Sequence, residues 1–455
     1  MRLRSIASAS AFIAFGHLLF IGLFILAVQH WMVRTIHVDS ACQIFKWINN
    51  HGLQIEAHRY TAIFPQLLVK LFAWSGASLS TLLLVASVAH VLVPWIIYSF
   101  IAHVLHRPWH AVAVALAAVL CTRLTFYGIV LEVNYLLCYP FLLAAALDQH
   151  SARSEHRWSW VLVFFALALL VLVHPLGALV ALFIIALHFA RGRKVRDLLL
   201  GAVVIGWIFL GRLLLPPTGY EQGLYDGIAA GWSSLSLGMD QPALDYFLGH
   251  TWGYTTHYVA WWLLFATVLV LLGHRKAWGD LLVVLGGVIA FILLIVLTYH
   301  EGETAMMMEK SFLPLATLVA LPLLLEVEQR NERTKWIALA PLVIVLFLQF
   351  RGVSFASRPA SERLDLLRGV VADARLNGAG SVAMEERTLD ARGLHIHWAL
   401  AYETLLLSSV EGTGGPVIVR AVRNGHDTGH VVDPTILDQR WFGHRVIGDP
   451  VLSTH

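Results

Sequence analysis

Long apolar runs alternate with short polar connections over the first 350 residues of the chain. Each run has about 15 to 27 residues, and a helix needs roughly 20 to cross ~30 Å of hydrocarbon. The runs predict about eleven crossings, at 7–33, 79–105, 109–131, 135–149, 158–173, 176–190, 198–215, 258–273, 279–299, 312–326 and 335–350. The pattern therefore predicts a polytopic α-helical membrane protein.

The apolar stretch from 158 to 190 is too long for a single crossing. His174, Pro175 and Gly177 lie near its centre, where proline and glycine interrupt the helical hydrogen bonds. Basic residues flank both ends, so both ends are expected on the same side of the membrane. The stretch therefore predicts two short helices that meet at His174 and Pro175.

Basic residues are concentrated in every second connection between the apolar runs. The five basic connections carry Arg107; Arg153 and Arg157; Arg191, Arg193, Lys194 and Arg196; Arg275 and Lys276; and Arg330, Arg333 and Lys335. Cytoplasmic loops are rich in lysine and arginine. The distribution predicts a multi-pass protein of the inner (plasma) membrane with a cytoplasmic N-terminus and most of its polar mass outside.

Composition excludes a soluble enzyme. Of the 455 residues, 58% are hydrophobic and 13% are charged, whereas soluble domains carry roughly 25% charged residues. The net charge of +3 does not indicate a nucleic-acid partner, because the basic residues lie between apolar runs. The three cysteines have no metal-binding spacing.

Two polar regions on the predicted outer side carry further structure. Within 38–74, apolar residues recur at helical spacing and predict two interfacial helices lying on the membrane; a partly buried connector is the alternative. After a transmembrane domain at 1–350, the segment 351–455 is richer in charge and glycine. Strand-like runs at 381–384 and 416–422 and an amphipathic helix at 362–375 predict a small extracytoplasmic α/β domain.

Ionisable residues near the ends of the apolar runs are the candidates for function. Asp39 follows His37 just after the first run, where it is either a reactive carboxylate or a helix N-cap. Glu132 ends the third run, either as a functional acid or as the partner of Arg123 in an ion pair.

Further candidates lie on the same predicted side. His174 is either a ligand-binding residue or a hydrogen-bonded core residue, and Lys310 is either a phosphate-binding ammonium or a side chain reaching the interface. Arg59, His300 and Glu301 complete the set of predicted substrate-binding residues.

Taken together, these features resemble the GT-C superfamily of polyprenyl-phosphate-dependent glycosyltransferases. The resemblance rests on the first helix followed by outer Asp39, the two interfacial helices, about eleven crossings, the His-Pro break and the C-terminal α/β domain. In that family an acid in the first outer loop is the proposed general base, which corresponds to Asp39, and a second outer acid corresponds to Glu132. Asp39 has no adjacent acid, and Cys138-Tyr139-Pro140 stands where relatives often have an acid before the proline.

The resemblance implies transfer of a sugar from a polyprenyl-phosphate donor to a glycan, lipid or protein acceptor on the outer side of the inner membrane. Asp39 would take the acceptor proton, while Arg59 and Lys310 would stabilise the leaving phosphate. No cofactor is certain, and a requirement for a divalent metal is left open. A non-catalytic scaffold of a cell-envelope complex and a transporter of lipid-linked substrates are the alternatives.

Overall fold

A computed structural model describes residues 2–129, 132–152, 157–253, 255–378, 380–412 and 415–442. Two sequence predictions fall partly outside these ranges. They are the basic connection that contains Arg153 and the last part of the C-terminal domain, 443–455.

The described residues up to Leu376 are mainly helical, and every predicted apolar run overlaps a helix. The helices are α1 (Arg2–Gln29), α2 (Trp31–Thr35), α3 (Val38–Asn49), α4 (Ile63–Trp74), α5 (Leu79–Ser99), α6 (Pro108–Ala117), α7 (Tyr139–Ala152), α8 (Arg157–Val171), α9 (Pro175–Gly192), α10 (Val195–Leu214), α11 (Gly219–Ser236), α12 (Pro242–Leu248), α13 (Val259–His274), α14 (Trp278–Thr298), α15 (Ala305–Phe312), α16 (Pro314–Glu328), α17 (Glu332–Phe355) and α18 (Ser357–Leu376).

Among the described residues, six helical segments are long and apolar enough to cross a membrane. They are Ala9–Gln29, Leu79–Val104, Pro175–Gly192, Trp278–Thr298, Ala305–Glu328 and Glu332–Leu376. Three shorter apolar helices accompany them, at Pro108–Ala117, Trp158–Val171 and Val259–His274. Large apolar side chains such as Leu263, Ile289 and Phe347 are exposed on these helices. An apolar surface of this kind is typical of a helical protein embedded in lipid.

The segment formed by α15 and α16 lies inside the bundle. In its most apolar stretch, 89% of the residues are buried inside the protein, whereas the corresponding fraction is 22 to 44% for the other long segments. The segment begins at Ala305, carries Glu309, Lys310 and Ser311 in its second turn, and then continues as an apolar helix. Its first turns therefore bring polar side chains into the interior of the protein.

The predicted helix break at His174 and Pro175 is confirmed, whereas the third predicted run is an α-helix only as far as Ala117. Helix α8 ends at Val171, and α9 begins at Pro175 with His174 as its N-cap. In the run 109–131, α6 ends at Ala117, and a 3₁₀ turn follows at Leu124–Phe126. The carboxylate of Glu309 accepts bonds from the backbone N–H groups of Arg123, Leu124 and Thr125, which hold this turn in place of a longer helix.

The two amphipathic segments in 38–74 are helices, but they face different surroundings. Helix α4 exposes Leu67, Leu71 and Trp74, and it buries Lys70, which donates to the carbonyl of Asn50. Its outer face is thus apolar, as expected of a helix that contacts lipid. Helix α3 buries Ile44 and Trp47 completely. The apolar face of α3 therefore packs inside the protein, as the alternative of a partly buried connector predicts.

The C-terminal region forms the predicted small α/β unit. Its elements after α18 are β1 (Ser381–Glu385), α19 (Glu386–Ala391), α20 (Leu400–Glu411), β2 (Ile418–Arg423), β3 (His426–Asp427) and α21 (Gln439–Phe442). Strand β1 pairs in parallel with β2, with Ser381 opposite Ile418, and β2 pairs antiparallel with β3. Helix α20 packs on the sheet and also contacts α3. The unit therefore packs against α3.

Candidate functional site

A cavity of about 830 Å³ lies between the helical bundle and the C-terminal α/β unit. Its walls come from the start of α3, the segment before α4, the start of the 3₁₀ helix Glu132–Leu137, α15 and the loop around Trp398. Five of the eight predicted site residues line it, namely His37, Asp39, Arg59, Glu132 and Lys310. Residues far apart in sequence therefore meet in one polar space.

Asp39 is the second residue of α3, and its side chain is half-buried in the cavity wall. The hypothesis that it caps the helix is wrong, because His37 holds the N-cap position. Among the described residues, the Asp39 carboxylate has no hydrogen-bond partner. Burial raises the pKa of Asp39, the ammonium of Lys310 opposes this rise, and the negative charge of Glu132 adds to it. The result is an unbonded carboxylate with increased basicity.

Lys310 lies on α15 and is only 6% exposed. The alternative that it extends to the membrane interface is wrong, because the side chain lines the cavity. Its ammonium forms no hydrogen bond or close ion pair with a described residue, and the charges that act on it include Asp39 and Glu132. A buried ammonium without a close anion is a strong binding site for one.

Arg59 and Glu132 form a buried ion pair on the same cavity wall. Arg59 Nη1 donates to Glu132 Oε2 at 2.8 Å. The alternative pairing of Glu132 with Arg123 is wrong, since the Arg123 guanidinium instead donates to the carbonyl oxygen of Gln349 at 3.1 Å. Glu132 consequently fixes the position of the Arg59 guanidinium.

The predicted pair His300 and Glu301 does not line the cavity. His300 Nε2 lies 3.8 Å from Glu301 Oε1, and the Glu301 side chain is 88% exposed. Glu303, two residues later, lines the cavity instead, next to Thr304. The turn at Gly302, with φ of +81°, separates the two carboxylates onto different sides.

Several residues that line the cavity were not among the site residues predicted from the sequence. Lys46 and Gln43 both donate to the carboxylate of Glu56, and the three form a polar corner of the cavity. Trp398 and His430 close the side formed by the C-terminal unit. The spacing of Gln43 and Lys46 on one face of a helix is visible in the sequence, but their common acceptor in the following loop is not.

The two remaining histidines differ in position. His37 lines the cavity, and burial lowers its pKa to about 4, so its imidazole is neutral at pH 7. His174 Nδ1 accepts a bond from the Leu176 N–H at 3.2 Å and thereby caps α9. It lines a neighbouring apolar groove rather than the polar cavity.

This apolar groove has a volume of about 330 Å³ and adjoins the polar cavity. Helices α9, α10, α11 and α14 form it, with Leu176, Ile208 and Leu294 among the lining residues. Ala57 and Arg59 line both spaces. The Arg59 side chain thus lies where the apolar groove meets the polar cavity.

The described residues contain no group of three or more histidine, cysteine, aspartate or glutamate side chains that could hold a metal ion. The polar cavity offers an unbonded carboxylate, two basic groups and an adjoining apolar groove. This combination suits an amphiphile with an anionic head that reacts with a hydroxyl group.

Comparison of the chain with protein-family models, with curated proteins and with solved structures gives no match.

Proposed function

We propose that this chain is an integral membrane glycosyltransferase of GT-C type, which transfers a sugar from a polyprenyl phosphate to an acceptor hydroxyl on the outer side of the inner membrane. The observation that carries the proposal is the position of Arg59, which lines both the charged cavity and the apolar groove. A polyprenyl phosphate sugar has the same division into an apolar tail, a charged head and a polar sugar. Its head would lie at Arg59 and its sugar in the cavity.

Asp39 is the general base of this proposal. Its carboxylate is not engaged by any described donor, and burial raises its pKa. A carboxylate with increased basicity accepts a hydroxyl proton more readily than an ordinary one. Glu132 is less suited to the same role because Arg59 holds it in an ion pair.

The reaction exchanges one bond at the anomeric carbon for another. The acceptor oxygen forms a bond to the anomeric carbon as its proton moves to Asp39. The bond from that carbon to the phosphate oxygen breaks, and the electron pair stays on the phosphate. Lys310 and Arg59 then face the developing negative charge, which a preformed pair of cations stabilises.

The apolar surroundings suit the lipid part of the donor. Groove residues such as Ile208 and Leu294 offer an apolar path for an isoprenoid chain, which meets the same kind of apolar surroundings there as in the bilayer. The acceptor would enter from the side of Trp398 and His430, which line the cavity but not the groove. The acceptor is a glycan, a lipid or a protein.

The proposal is tested by two linked experiments. In the first, mass spectrometry compares the envelope glycolipids and glycans of cells that lack this protein with those of the parent strain. The deletion should remove one sugar addition, and the missing product should identify the donor and the acceptor. The purified protein in nanodiscs should then catalyse that transfer from the corresponding polyprenyl phosphate sugar. An unchanged profile would support the scaffold or transporter hypothesis instead.

A further inference from the structure

The turn that presents Asp39 has an unusual backbone conformation. Val38, the residue before Asp39, has φ of +33°. Positive φ is unfavourable for a β-branched residue because its Cβ approaches the neighbouring carbonyl. Such a conformation persists only where surrounding contacts enforce it, and it is most frequent at functional sites.

The contact that holds Val38 comes from the C-terminal α/β unit. Glu403 Oε1 on α20 accepts the Val38 backbone N–H at 2.8 Å. Glu403 is completely buried, and it binds Arg363 of α18 through two bonds, from Nε at 2.7 Å and from Nη2 at 2.6 Å. Arg363 Nη2 also donates to the carbonyl of Ile396, in the loop that lines the cavity.

The bidentate geometry fixes the Glu403 carboxylate in direction as well as in charge. A carboxylate bond to a backbone N–H is stronger than a bond between neutral groups. Other contacts dock the same helix on the same unit further along, where Phe45 contacts the Tyr402 ring and Asn49 Nδ2 donates to the carbonyl of Ile436. Docking of α3 therefore does not depend on Glu403 alone, whereas the backbone N–H of Val38 bonds to Glu403.

We propose that Glu403, held by Arg363, is a positioning residue that keeps Val38 in its left-handed conformation and so directs the Asp39 carboxylate into the cavity opposite Lys310. This inference rests on the proposed function, because it assigns Asp39 the role of base. It gives the C-terminal unit a part in the reaction that does not require contact with the donor.

The test replaces the buried ion pair by apolar residues, since such exchanges are often tolerated in folding. The variant Arg363→Met/Glu403→Leu removes the acceptor for the Val38 N–H. We expect kcat to fall about 10-fold or more, with KM for the donor within about 3-fold of the wild type, because the donor-binding cations are left in place. The matched control is Arg368→Gln/Glu411→Gln, which removes an ion pair on the exposed surface of the same two helices.

A third variant separates positioning from general stability. Adding Val38→Gly to the apolar pair should restore part of kcat, because glycine adopts positive φ without strain. A merely structural role of Glu403 predicts no such recovery, since an added glycine loosens the turn further. A wild-type kcat in the apolar pair, or no recovery with glycine, overturns the inference.

Hydrogen–deuterium exchange provides a readout that is independent of activity. Peptides covering 36–42 should exchange faster in the apolar pair than in the wild type or the surface control. Unchanged exchange overturns the inference at any level of activity. If exchange is faster in the apolar pair but the wild-type protein shows no glycosyl transfer, the proposed function is contradicted. The contact between Glu403 and Val38 is not.

Discussion

Arg59 Nη1 donates to Glu132 Oε2 at 2.8 Å, and the two residues are 73 positions apart in the chain. Both side chains are nearly buried, at 13% and 7% exposure. The pair joins the segment before α4 to the 3₁₀ helix that precedes α7. It also fixes the guanidinium at the junction of the charged cavity and the apolar groove.

The first prediction concerns this pair. Arg59→Gln leaves the Glu132 carboxylate buried without its partner, so thermal unfolding in detergent should shift to lower temperature, corresponding to roughly 1–3 kcal/mol. Arg59→Gln/Glu132→Gln should regain most of that stability, because two amides can bond to each other. Transfer activity should stay low in both variants, since both lack the cation. Full activity in the double variant would show that the guanidinium serves the fold alone.

The second prediction concerns pH. Because the pKa of Asp39 is raised in the folded protein, kcat/KM should rise with pH through that value and then level off. The sign for stability is opposite: the folded state binds the proton more tightly than the unfolded state, so stability falls as pH rises through this range. Asp39→Asn should therefore unfold at the same or a higher temperature than the wild type at pH 7. A marked loss of stability in Asp39→Asn would indicate a structural role for the carboxylate.

The third prediction concerns the groove. Ile208→Trp narrows the apolar groove and should raise KM for a long-chain polyprenyl donor several-fold, with little effect on a short-chain analogue. Val203→Trp is the matched control on the same helix, because its side chain is exposed. Equal effects of Ile208→Trp on long and short donors would place the lipid elsewhere.

The fourth prediction concerns sidedness. Cys42, Cys121 and Cys138 are buried, so an impermeant maleimide should label only introduced exposed cysteines. Asn424→Cys, in the β2–β3 turn, should react in intact cells, and Arg193→Cys, between α9 and α10, only after the membrane is opened. The reverse pattern would place the cavity in the cytoplasm.

The sequence predicted best those elements that have a clear apolar run or a helix-breaking residue at their end. Pro175 and Gly177 predicted the break between α8 and α9, and short strand-like runs predicted β1 and β2. The third crossing was not predictable in the same way. Its helix ends at Ala117 because Glu309, nearly 190 residues later, holds the following turn, and apolar composition carries no sign of such a distant contact.

The candidate site was predictable as a set of residues but not as an arrangement. The expectation that Asp39, Glu132 and Lys310 lie on one side of the bundle followed from the register of the runs. Glu301 was predicted, but Glu303 lines the cavity instead, because the turn at Gly302 separates the two carboxylates. The bond from Val38 to Glu403 also lay beyond sequence reasoning, since positive φ at valine has no local signature.

The central claim is that Asp39 is the general base of a glycosyl transfer. Its most direct test is complementation by Asp39→Asn in cells that lack this protein. Asparagine keeps the shape of the side chain but cannot accept the proton, so turnover should fall by about 100-fold or more. Lys310→Gln is tested in the same way. The matched controls change exposed residues: Asp240→Asn for Asp39→Asn, and Lys276→Gln for Lys310→Gln. We predict that Asp39→Asn and Lys310→Gln, at wild-type protein levels, leave the same glycan defect as the deletion, whereas both controls restore the parental profile. Restoration of the parental profile by Asp39→Asn would contradict the assignment of Asp39 as the base.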